Sequence, residues 1–281
     1  MGEIEQRVTD VRLSLTPAER RVADAVLQQP ERVAFGTVAE LARDAHAGGA
    51  TVLRLAAKLG YDGFSALQEA VQDELAQRLR PAAERIRAPR RGDVVGRVME
   101  RELQNVQRTL DGAERTVFTR AVTALSARGK RVYVLSGDAS SGLAHHVALE
   151  LSMLRDEVHL VQGNEVGVLR QIAAADAGDT CLAIDLRRYD RWVVTTATKL
   201  RARGVRMVAL TDSALSPLAD MADATFWVSA DSEGPFDSHV GTLALLNALV
   251  AGVADRLRRS ATDRLDRLED EWQTHAALVE P

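Results

Sequence analysis

The sequence predicts two domains, an all-α N-terminal helix-turn-helix domain at residues 1–80 and an α/β domain with a parallel, doubly wound sheet at 94–281, joined by a linker at 81–93. Three observations carry this. The first 80 residues hold several helix signals and no convincing strand. From Lys130 onward, short apolar strands alternate with helices, the pattern of a parallel sheet covered on both faces. Between the two, "RPAAERIRAPRRGD" mixes two prolines with five arginines, as linkers do.

The elements follow in order. "LTPAERRVADAVLQQP" begins a helix with Thr16 as N-cap, Pro17 at the first helical position and Glu19 at the third, and puts Leu15, Val22 and Val26 on an apolar side. A second helix starts at Thr37 before "VAELARDA"; after the turn "HAGG" comes "ATVLRLAAKLG", closed by Gly60, and then "FSALQEAVQDELAQRL". Beyond the linker, "VVGRVMERELQNVQRTL" and "ERTVFTRAVTALSARG" have helical periodicity. The strands are "RVYVL", "EVHLV", "TCLAI", "VRMVAL" and "ATFWV", and the last long helices run from 238 to about 278. Ligands of such sheets bind beyond the carboxyl ends of the strands.

At 281 residues and 46% hydrophobic content, with only 4% aromatics, the core is built of Leu, Val and Ala. The single cysteine, Cys181, lies inside an apolar strand and reads as a small core residue in a reducing compartment. The charged, amphipathic opening does not read as a signal peptide, and no apolar run approaches a membrane span, so the expected location is cytoplasmic with no membrane partner. A net charge of −4 argues against coating nucleic acid non-specifically but leaves room for a small basic reading face.

Such a face is present in "ATVLRLAAKLG". Val52, Leu55, Ala56 and Leu59 make one side apolar, while Thr51, Arg54 and Lys58 recur on another without any acid. Two short helices joined by a glycine-containing turn suit a helix-turn-helix whose second helix enters the major groove, with Arg54 reading a guanine and Thr51 or Lys58 holding phosphate. A solvated face on a small helical bundle gives the same pattern. The order of the features shifts the balance towards the first. "LTPAERRVADAVL", "TVAELA", "ATVLRLAAKLGYDGF" and "LQEAV" together resemble the helix-turn-helix domain of the RpiR family of bacterial transcription regulators over nearly all of residues 10–75. Where that family opens its second helix with Ser, this chain has Gly48, and one phosphate-contacting hydroxyl is missing.

Residues 130–255 are similar to the SIS domain, the sugar isomerase fold with which such regulators sense phosphorylated sugars. The motifs are "VYVLSGDASSGLAHHVALEL", "FDSHVGTLALLNAL" and, most diagnostic, "ALTDSALSPLADMAD". The first strand-to-helix loop puts Ser140 and Ser141 where free N–H groups and the helix dipole favour an anion, although Asp138 is an unwelcome neighbour for phosphate. In the second, the resemblance implies Ser and Thr around a glycine; here stand Asp185, Arg187, Arg188 and Asp190. One reading moves anion recognition to arginine forks, with Asp138 and Asp185 taking hydroxyl or amino groups of the same ligand. The other pairs the arginines with Asp185, Asp190 or a neighbouring subunit, and binds nothing. Ser213 and Ser216 read as turn and cap residues, and at the junction "EGPFDSHVG" Ser238 is a candidate for the effector site, with His239 behind it.

The six histidines show no zinc spacing, no Walker loop or G-x-G-x-x-G appears, and no metal or cofactor is expected. Ser140, His145 and Asp138 do not suit a catalytic triad. The favoured expectation is a non-enzymatic regulator that binds operator DNA as a homodimer or homotetramer and senses a small anionic metabolite, a sugar phosphate or carboxylate. The rivals are a sugar phosphate isomerase or related enzyme, for which Glu150, Glu165, Glu233 and His239 are available bases, and a regulator whose pocket is vestigial.

Overall fold

The computed structural model describes residues 3–28, 30–78, 82–87, 92–213 and 216–279. The chain divides into two compact units, Met1–Arg90 and Arg91–Pro281. Residues 81 and 88–91 of the expected linker lie outside the described residues, and a short helix, α7 (Ala82–Arg87), occupies part of the rest.

The first unit is helical: α1 (Glu3–Val11), α2 (Pro17–Gln28), α3 (Pro30–Phe35), α4 (Val38–Asp44), α5 (Gly49–Lys58) and α6 (Phe64–Arg78). Two capping boxes start helices where the sequence predicts starts. Thr16 N–H donates to Glu19 Oε2 at 2.8 Å and Glu19 N–H returns to Thr16 Oγ1 at 3.3 Å; Thr37 and Glu40 repeat the pattern for α4. Gly60, at φ +82°, ends α5 in the left-handed region, and Tyr61 N–H closes onto Ala56 O at 2.9 Å. Val22, Val26, Leu41, Val52, Leu55 and Leu67 are buried together in the core of this unit. Two helices, α1 and α3, were not anticipated, and the second opens on Pro30, whose fixed φ suits a first turn.

The second unit contains α8 (Val94–Asp111), α9 (Arg115–Leu125), β1 (Val132–Ser136), α10 (Ser141–Leu154), β2 (Val158–Val161), α11 (Glu165–Gln171), β3 (Thr180–Ile184), α12 (Arg191–Ala202), β4 (Arg206–Thr211), α13 (Pro217–Met221), β5 (Ala224–Trp227) and α14 (Val240–Thr274). All five expected strands form, in the order β2-β1-β3-β4-β5 with every pair parallel. Alternate residues of β1, β3 and β4 feed two separate cores, one on each face, as a doubly wound sheet requires. Ser216 caps α13 by accepting from Leu218 N–H at 3.3 Å. The expected last helices are a single helix, α14, unbroken over 35 residues. Its first half is long and apolar enough to cross a membrane by length and composition. Of that apolar stretch 39% is buried, and the helix packs on α8, α9 and α10 with Leu245, Leu246, Leu249 and Val253 in the core.

The strand order reverses direction between β1 and β3, so the crevice above their carboxyl ends is the topological switch point. The loops flanking that crevice are 137–140 and 185–190, the two singled out from sequence.

Candidate effector site and nucleic-acid interface

In the helix-turn-helix unit, Glu19 links α2 to α5. Its side chain is only 2% exposed and accepts from Lys58 Nζ at 2.7 Å as well as from Thr16. The hydrogen bond from Lys58, then those from Thr16, hold its carboxyl down at about 2. Lys58 Nζ also donates to Ser14 O at 3.0 Å. Thr51 is buried, and its Oγ1 accepts from Arg54 Nη2 at 3.0 Å, while Arg54 Nε lies 3.9 Å from Glu19 Oε1. The three residues singled out for DNA therefore sit differently. Thr51 faces inward, Lys58 is tethered to α2 and Arg54 projects with its side chain 62% exposed. Gly48 caps α5 at φ −92° and ψ 153° without a side-chain bond; a Cβ there meets no atom within 4 Å, so a serine would fit.

In the second unit, Gly137 ends β1 so close to the β3 loop that an added Cβ would lie 2.4 Å from Asp185 Oδ1 and 3.0 Å from Asp190 Oδ2. Only glycine lets these segments meet. Asp190 Oδ2 accepts from the Asp138 amide at 2.7 Å, and Asp185 Oδ2 accepts from the Asp190 amide at 2.9 Å. A protein carboxylate thus occupies an amide that opens the turn into α10, a position suited to a ligand anion. Asp185 is buried, and that burial, with the nearby charges of Asp190 and Asp212, raises its carboxyl to about 7. Ser140 is buried at the start of α10, Asp138 is exposed, and Ser141 Oγ donates back to Asp138 O at 2.7 Å.

The two arginines separate. Arg187, with a side chain 10% exposed, donates through Nη1 to Asp237 at 2.8 Å, Nη2 to Asp231 at 3.2 Å and Nε to Asp212 at 3.3 Å. Its amide also donates to Asp212 Oδ1 at 3.0 Å. Arg188 is exposed and has no ion pair among the described residues. Both adopt positive φ, +36° and +42°, a backbone state that disfavours side chains and is held here by the bonds of Arg187. Arg187 is therefore the hub of an acidic cluster, with partners that neither sequence-level reading named. Ser238 is buried and tied to Glu102 on α8, where it also accepts from Val240 N–H at 3.2 Å as α14 begins. Asp212, Asp231 and Asp237 were missed; the acids that follow strands in "ALTDS" and "SADSEGPFDS" were their signal. Among the described residues, no group of three His, Cys, Asp or Glu side chains is arranged to hold a metal ion.

Fold and crevice together define a class: a helix-turn-helix unit joined to a parallel α/β unit that presents polar loops at its switch point. Residues 2–78 match the helix-turn-helix domain of the rpiR family, and residues 126–252 match the SIS domain. The chain belongs to the RpiR family of transcriptional regulators. It is 28% identical to the HTH-type transcriptional regulator HexR of Pseudomonas aeruginosa, over 96% of this chain and 94% of that one. Among solved structures, the sugar isomerase domain of an RpiR transcription factor from Sphaerobacter thermophilus is similar with a TM-score of 0.60 and 24% identity, covering 64% of this chain and 99% of that one. The NanR protein of Vibrio vulnificus, solved with ManNAc-6P, is similar with a TM-score of 0.55 and 22% identity over 97% of this chain and 98% of that one.

Proposed function

We propose that this regulator binds operator DNA through α5 and that a small anionic metabolite, a sugar phosphate or carboxylate, binds above β1 and β3 and changes operator affinity. The observation that carries the effector half is the Asp190 carboxylate on the Asp138 amide. The position accepts an anion, and the protein supplies one of its own. An effector anion takes that amide by exchange, with the exposed Arg188 as its nearest available guanidinium in the loop. NanR, carrying a sugar phosphate in a similar fold, supports this class of ligand. The effector acts by binding one arrangement of the DNA heads better than another. Regulation is favoured over isomerisation because two candidate bases are already engaged: Glu233 with Arg97 and Arg101 at 3.3 and 3.4 Å, and Glu150 with His146 at 3.4 Å.

The test uses a duplex enriched by the full chain from a random pool. Arg54→Ala is expected to weaken that duplex about tenfold or more with only a small fall in melting temperature, since it removes one base-reading fork together with a bond to Thr51 and a 3.9 Å approach to Glu19. Phosphosugars and carboxylates are then titrated, with melting temperature and duplex affinity as readouts. Full affinity in the Arg54 variant refutes the DNA half; no response to any anion refutes the effector half.

We propose that α8 carries self-association. Its buried residues are polar: Asn105 donates to Asp231 O at 2.7 Å, and Thr109 accepts from Ser229 N–H at 3.0 Å. Its outward residues are apolar, with Val95 75%, Met99 60% and Leu103 64% exposed. A second copy of the chain covers this stripe and supplies the second DNA head of a homodimer, or of a homotetramer. Leu103→Asp is expected to shift the protein to monomer in sedimentation, and an unchanged mass would refute the assignment.

A further inference from the structure

The outward face of α5 has an unusual chemistry for a helix that reads DNA. Ala50, Leu53, Arg54 and Ala57 are exposed, and at 100° per residue they fall within one arc of about 100°. The opposite side, Val52, Leu55 and Ala56, is buried in the core. The polar residues on the flank of that arc are engaged: Thr51 is buried and Lys58 is bound to Glu19 and to Ser14 O. Arg54, although it donates to Thr51 and lies 3.9 Å from Glu19, keeps its side chain 62% exposed against 36% for the tethered Lys58, and it stands beside three apolar side chains, among them Leu53 at 48% exposure. No amide, hydroxyl or carboxylate stands on this arc to read an adenine or a cytosine edge.

The major groove has one apolar feature that differs among base pairs, the 5-methyl group of thymine, whereas a guanidinium fork suits the O6 and N7 of guanine. We infer that α5 reads its site chiefly through thymine 5-methyl groups packed against Ala50, Leu53 and Ala57, beside a single guanine read by Arg54. Seven residues of helix rise about 10 Å, so the methyl contacts and the guanine fall within about three successive base-pair steps. This rests on the reading of α5 as the operator-binding helix, and it adds what that helix recognises.

The experiment takes the duplex enriched by the full chain and replaces each thymine in turn with deoxyuridine, which keeps the hydrogen-bonding edges and removes only the methyl. Loss of about three- to fivefold in affinity is expected at one or more thymines within three steps of a required guanine, the size of burying one methyl. Leu53→Ala, an exposed change within a helix, is expected to abolish the loss at one of those positions. Deoxyuridine without effect at every position overturns the inference while operator binding stands, as does a methyl effect that persists unchanged in both Leu53→Ala and Ala57→Gly. Failure to enrich any sequence overturns operator binding and this inference together.

Discussion

Arg187→Ala is expected to destabilise the SIS domain by about 3 kcal/mol, read as a drop in the denaturant midpoint with an unchanged slope. The guanidinium is 10% exposed and joins Asp212, Asp231 and Asp237, so its removal takes away their common cation, with Asp231 still paired to Arg108 at 3.4 Å. Breaking a buried pair from one side is costly because the remaining charge stays desolvated. Asp231 is 30% exposed, and water screening there holds the figure at the lower end of the range for buried pairs. The alanine keeps the backbone amide bond to Asp212 but loses the three side-chain bonds at a pair of consecutive left-handed residues. Arg187→Lys keeps the charge but cannot reach three acceptors at once, and partial rescue is expected. A midpoint within experimental error of the parent would show that the hub is not what holds these loops.

Glu19→Ala is expected to cost the helix-turn-helix domain about 2–3 kcal/mol, because it removes both the return bond of a capping box and a charge-assisted bond from Lys58. Glu19→Gln separates the two: glutamine can keep the cap but not the charge. The sign with pH is defined. The carboxyl sits at about 2 in the folded protein against 4.5 when free, so its contribution is complete above about pH 4.5 and is lost as the pH falls towards 2. The Gln variant is expected to lack that component of acid destabilisation in pH-dependent melting curves. Curves of equal shape for the parent and the Gln variant would refute the assignment. Because Arg54 also approaches Glu19, the Ala variant is expected to bind duplex DNA less tightly than its stability alone requires.

Several parts of this architecture were legible residue by residue. Thr16 with Glu19, Thr37 and Gly60 announce helix ends because capping is satisfied within a few residues of chain. The apolar runs of β1, β3 and β4 mark a sheet buried on both faces. The loop after β3 was identifiable as a site because its charges stand at a strand end, where polar groups are expected only for a reason. Its chemistry was not identifiable. The partners of Arg187 lie 25, 44 and 50 residues along the chain, and the amide taken by Asp190 is 52 residues away. Periodicity recognised α8 as a helix but could not reveal that Asn105 and Thr109 go inward while Met99 and Leu103 face out.

The sequence by itself determined two domains, their order, the helix starts, the parallel sheet and the family, because these depend on spacing within about ten residues and on the alternation of short segments. Only the tertiary structure decided which charges meet: that Arg187 serves three distant aspartates, that Asp190 holds an amide of the first loop, and that Lys58 is bound by Glu19 while Arg54 stays exposed. The physical reason is that a cap closes over a few residues of chain, whereas an ion pair is directed only by proximity in space, which the sheet's crossovers create after the strands have paired.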